Sequence, residues 1–70
     1  MHESKDRLIR LRQELIASAG AHGRDAARYD RCGAVGPACF AAHVAASYAL
    51  NAQAIDDVLR AADPQTGGTR

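Results

Sequence analysis

Four side chains have the types that bind metal: His22, Cys32, Cys39 and His43. Tetrahedral zinc sites use these ligands, and Cys39 and His43, four residues apart, would share a helix face. The cysteines, however, stand seven apart instead of in a close pair, and no spacing here matches a zinc finger. They read instead as small buried thiols and helix-surface histidines, with no metal expected. A Cys32–Cys39 disulfide would strap a turn, but only in an oxidising compartment. His22 with Asp25, and His43 with Ser47, are of the types used in acid–base work. Nothing around them resembles a phosphate loop after a strand, a nucleophile elbow or paired carboxylates. The expectation is a chain that is not an enzyme and needs no cofactor.

Those residues lie on two stretches of helical period. In the first, Leu8, Leu11, Leu15, Ala19, His22, Ala26 and Tyr29 recur at steps of three and four, which is one face of an α-helix. Ser4 is placed to cap its start, with Asp6 favourable in the first turn. In the second, Phe40, Val44, Tyr48, Asn51, Ile55, Val58 or Leu59, and Ala62 repeat the pattern. Pro37 suits a first helical position, and Asp63-Pro64 ends the element. Between the stretches, Gly33-Ala34-Val35-Gly36-Pro37 is strong turn punctuation.

These signals predict an all-α fold, an antiparallel two-helix hairpin with a helix over about 4–32, a turn over 33–36 and a helix over about 37–62. The domain is residues 1–64, and the polar, glycine-bearing tail 65–70 is expected to be disordered. If the turn centres near Val35, facing positions have numbers adding to about seventy. Leu15 then meets Ile55, Leu11 meets Leu59, Leu8 meets Ala62, Ala26 meets Val44, and Tyr29 meets Phe40 or Ala41. The expected hairpin core is Leu8, Leu11, Leu15, Tyr29, Phe40, Val44, Ile55 and Leu59. Gly20 and Gly23 each cost roughly 1 kcal/mol relative to alanine inside a helix. Either they break the first helix, or they permit close backbone approach opposite Ala49 and Ala46; one long, bent helix is the reading taken.

From Cys32 to Ile55 the chain runs twenty-four residues without Asp, Glu, Lys or Arg, and nine of them are alanine. A helix apolar on most sides is buried on most sides, and one partner helix covers only one of them. Seventy residues form at most one domain, and one core of that size rarely supplies more than about 3–5 kcal/mol unaided. A second contact surface is therefore expected, completing a bundle with a partner or a second copy. Ile9, Ile16, Tyr48 and Leu50 are assigned to it. The uncharged run is long enough to span a bilayer, but Pro37, His43, Ser47, Asn51 and Gln53 interrupt it, so no membrane span is expected. With nine basic and eight acidic residues and a net charge of +1, no field draws the chain to nucleic acid. Without a basic groove, Tyr29, Phe40 and Tyr48 read as core anchors and not base-stacking platforms. No basic region followed by an apolar stretch marks a signal peptide at the N-terminus, and the expected location is cytoplasmic.

Residues 8–60 resemble the small co-chaperones of the type III secretion needle subunit, the YscE and PscE type. The resemblance rests on Leu11-Arg12-Gln13 in a charged first helix, a glycine-containing turn, and Pro37 followed three residues later by Phe40. It continues through Ala49-Leu50-Asn51-Ala52 to an aliphatic at Ile55. It implies a helical hairpin that pairs with a tetratricopeptide-like chaperone, the two together holding the needle subunit soluble before export. It also implies self-association when the partner is absent. The same leftover surface supports a second function, a homodimeric helical-bundle regulator of phage or plasmid type that sequesters a transcription factor or another protein.

Overall fold

A thirty-residue helix ends where glycine allows the chain to reverse. The computed structural model describes residues 2–62 and contains two helices, α1 (His2–Arg31) and α2 (Val35–Ala61), packed against each other. The tail 65–70, together with Asp63-Pro64, lies outside the described residues. The helix limits fall within two residues of those expected, but two local assignments change. Ser4 lies inside the first turn of α1 and not at its cap. Pro37 is the third residue of α2, where its missing N–H removes nothing, because the first four helical N–H groups have no intrahelical acceptor. The chain therefore turns over Cys32–Ala34 and not over 33–36.

The turn is built from backbone bonds. Gly33 has φ +78°, the left-handed region that a side chain disfavours by roughly 1–2 kcal/mol. In that conformation the Ala34 N–H donates to the Tyr29 carbonyl at 2.9 Å and the Gly33 N–H to Asp30 at 3.0 Å. This pair of bonds is a Schellman cap, which satisfies carbonyls at the end of α1. Ala34, at φ −86° and ψ 82°, then makes an inverse γ-turn, with the Val35 N–H donating to the Gly33 carbonyl at 3.1 Å. The Ala38 N–H, bonded to the Ala34 carbonyl at 3.0 Å, begins the ladder of α2. Two consecutive tight turns place α2 antiparallel beside α1.

The register agrees with the expectation. The rings of His22 and Tyr48 stack at 5.4 Å with 13° between their planes, and Arg12 Nη1 donates to Asp56 Oδ1 at 2.7 Å. In both cross-helix pairs the residue numbers add to about seventy.

The seam itself is different. Among the described residues the buried ones are Ala38, Ala41 and Ala52, and half-buried Ala45, Tyr48, Asp56 and Leu59 continue their row. Phe40, expected in the shared core, is 71% exposed, and Leu11 and Tyr29 are also on the surface. The other core expectations, Leu8, Leu15, Val44, Ile55 and Leu59, are half-buried. α2 is thus rotated so that its alanines face α1. Small side chains let helix axes approach closely, and the bulkier row beginning at Phe40 is left on the flank. α1 runs unbroken through Gly20 and Gly23. A Cβ at Gly23 would meet nothing within 4 Å, and one at Gly20 only the flexible Arg24 Nη1 at 3.4 Å. Neither glycine permits a close approach to α2.

Candidate protein-interaction surface

The paired chemical residues are used for packing and for their own helices. Asp25 pairs with Arg28 at 3.0 Å, while His22 stacks on Tyr48. The Ser47 hydroxyl donates to the His43 carbonyl at 3.1 Å, one turn back, and not to an imidazole. Cys32 and Cys39 are free and exposed. Among the described residues, no group of three or more His, Cys, Asp or Glu is placed to hold a metal ion.

The hairpin has two broad sides. On one, Arg12, Ile16 and Ala19 of α1 and Ala49, Ala52, Gln53 and Asp56 of α2 line an open recess of about 300 Å³. Arg12 crosses its mouth to Asp56, and its buried Nε has no hydrogen-bond partner. Ile16 is more than half exposed. Ile9, one helical repeat earlier, is half-buried, so both isoleucines expected to meet a partner lie on this side. Leu50, 71% exposed, projects from the outer edge of α2, opposite α1. Tyr48 does not join them, because its ring is held within the hairpin by His22.

The second side carries what the alanine seam displaced. At 100° per residue, Phe40, Val44, Asn51, Ile55 and Val58 fall within an arc of about 60° along α2, on the flank away from the recess. Leu11 and Tyr29 occupy the corresponding flank of α1. Phe40 and Val58 are 71% and 55% exposed, and the Arg28 guanidinium lies 5.7 Å from the Tyr29 ring centroid, a cation–π distance. Sequence periodicity detected this row but assigned it to the hairpin's interior.

Among the described residues, one ion pair ties the helices together. Asp56 accepts from Arg60 on its own helix and from Arg12 across the seam. The hydrogen bond from Arg60, reinforced by Arg12, holds the Asp56 carboxyl below the usual carboxylate range, and desolvation opposes this only in part. A carboxyl whose folded pKa is depressed adds stability above its unfolded value, near pH 3.9, and loses it as pH falls through the folded value. Thermal midpoints followed by circular dichroism should therefore fall as pH drops below about 4. Asp56→Asn should melt earlier at neutral pH and lose less on acidification. An unchanged acid-induced drop in the variant would remove Asp56 from this role.

No helix among the described residues is long and apolar enough to cross a membrane. The chain matches no protein-family model, no curated protein and no solved structure.

Proposed function

We propose that the chain is a protein-binding hairpin that acts as a co-chaperone. The observation that carries this reading is the contrast between seam and surface. Among the described residues the buried ones are three alanines, while Leu11, Ile16, Tyr29, Val35, Phe40, Leu50 and Val58 remain exposed. Large apolar side chains left in rows, and not scattered singly, mark association surfaces. Of the acid–base candidates, His22 is stacked on Tyr48 and Asp25 is paired with Arg28, which suits a packing role.

The finer reading takes its support from the resemblance of residues 8–60 to the needle-subunit co-chaperones. The partner is then a tetratricopeptide-like chaperone, and through it the needle subunit of a type III secretion apparatus, in the cytoplasm before export. The recess side and the outer edge of α2, with Ile9, Ile16 and Leu50, form the contact. A superhelical groove has the concave form that grips a rod from one side and its edge. Binding only the folded partner, the hairpin would stabilise it by mass action.

Co-expression with a tetratricopeptide-like chaperone and its needle subunit tests the reading. A stable complex should form and keep the needle subunit soluble. Leu50→Asp should abolish co-purification while leaving far-UV helicity intact. Failure of the unaltered chain to form a complex would overturn the co-chaperone assignment, and a Leu50→Asp chain that still binds would move the contact elsewhere.

A further inference from the structure

Among the described residues, one buried side-chain nitrogen lacks a hydrogen-bond partner, and it is Arg12 Nε at the mouth of the recess. Buried donors are nearly always satisfied in folded proteins, so an exception needs a cause. The carboxylate beside it is already shared. Asp56 Oδ1 accepts from Arg12 Nη1 and Oδ2 from Arg60, while Gln53, on the other rim, turns its amide to Asp57 at 3.0 Å. In a guanidinium the Nε–H lies alongside Nη2 and not alongside Nη1. The edge that binds a carboxylate side-on, with two parallel bonds, is therefore not the one turned to Asp56. The Arg12 side chain as a whole is 33% exposed, so a small swing about the Asp56 contact opens that edge to a group from outside.

One helical turn from Arg12 the recess becomes apolar. Ile16, four residues and about 6 Å along α1, supplies a wall that is 54% exposed, and Ala19, Ala49 and Ala52 line the space beside it. The volume of about 300 Å³ admits one large side chain, such as leucine, methionine or phenylalanine. An open recess between two helices leaves a free small molecule largely in water, whereas ligand pockets bury about 70–90% of theirs. The space suits a side chain delivered on a backbone that lies across it.

We infer that the recess receives a helix of the partner protein that carries a large apolar side chain and, three or four residues from it, an aspartate or glutamate. The apolar side chain packs against Ile16 over Ala49 and Ala52, and the carboxylate takes the Nε–Nη2 edge of Arg12. Residues three or four apart on a helix share a face and stand about 4.5–6 Å apart along it, which matches the step from Ile16 to Arg12. This contact rests on the co-chaperone reading, in which the recess side meets the partner, and gives the chemistry of the segment that docks there. Arg12 then has two roles: Nη1 ties α1 to α2, and the opposite edge orients the partner.

The test uses the full chain, isotope-labelled for NMR, and a helical peptide held by a hydrocarbon staple whose free face carries leucine and glutamate four residues apart. Titration should shift the amide signals of Ile16, Ala49 and Gln53 and the Arg12 Nε–H signal in a saturable way. Replacing the peptide's leucine by alanine, or its glutamate by glutamine, should weaken binding at least tenfold. Arg12→Lys keeps a cation for Asp56 but has no side-on fork, so helicity should persist while the preference for glutamate over glutamine disappears. The peptide pair is read on the unaltered chain and does not depend on how that variant folds. A glutamine peptide that binds as well as the glutamate one, shifts centred on Phe40 and Val58, or no saturable shift at millimolar peptide overturns the proposal. So does decanoate shifting the recess signals where the peptide does not, which would make this a site for a small amphipathic acid. Discrimination between the peptides with no complex on co-expression would strike the co-chaperone reading alone. A complex on co-expression with indifference between the peptides would strike this one alone.

Discussion

Replacing Ala52 with leucine is expected to remove a large part of the hairpin's stability. Ala52 is 5% exposed and lies midway along the seam, between the Tyr48 and Asp56 contacts to α1. Three added carbons there would push the helices apart, and overpacking of this kind typically costs about 1–3 kcal/mol. A domain of this size has only about 3–10 kcal/mol in all, at roughly 0.05–0.15 kcal/mol per residue. The same separation would pull Arg12 from Asp56 and His22 from Tyr48. Urea titration followed by circular dichroism measures the effect. The control is Ala54→Leu, because Ala54 is exposed on the same helix and leucine is nearly as good a helix former as alanine. If Ala52→Leu is as stable as the control, the alanines are not the seam.

The opposite effect is expected from α1. Gly20→Ala and Gly23→Ala together should raise stability by about 1–2 kcal/mol, since each glycine in a helix interior costs roughly 1 kcal/mol against alanine. Neither added methyl meets an obstacle that cannot move, because the nearest atom at Gly20 is the end of the Arg24 side chain and Gly23 has open space. The gain arises in the unfolded chain, whose conformational freedom is reduced. In a protein with so small a seam this should appear as a clear rise in the urea midpoint. A fall would show that the bare backbone at these positions is needed in an assembled form of the protein.

The contrast between the helices explains which features were legible in the amino-acid sequence. α1 carries charges around most of its circumference, so its apolar stripe has edges. Leu8, Leu15, Ala19, His22 and Ala26 are half-buried, as the stripe predicts. The turn was legible because Gly33 is one of few residues that accept a positive φ, although its limits moved once Pro37 proved compatible with the first turn of α2. The cross-helix register followed from turn position alone, and His22–Tyr48 and Arg12–Asp56 agree with it. Arg12–Asp56 was missed as a cross-helix tie. Its signal was an oppositely charged pair at facing positions, hidden among the many charges of α1.

α2 has no such edges. With no charge between Cys32 and Ile55, its period shows that it is a helix and not which way it faces. The rows starting at Ala38 and at Phe40 are both apolar and adjacent on the cylinder, so both are compatible with the periodicity. Bulk argued for Phe40 and Val44 in the interior, and close approach argued for alanine. The same ambiguity placed Tyr48 in the outward contact, when its ring is stacked on α1.

Composition and spacing alone therefore determined two helices, their order, the reversal at Gly33 and the level at which one helix passes the other. These depend on backbone hydrogen bonding, turn stereochemistry and the rise per residue, all local properties of a chain. The rotation of α2 about its own axis was decided only in the tertiary structure. There the gain from bringing two backbones together over alanine, with Arg12 held to Asp56 and His22 to Tyr48, outweighed burial of the larger side chains. That choice leaves Phe40 and Val58 facing outward.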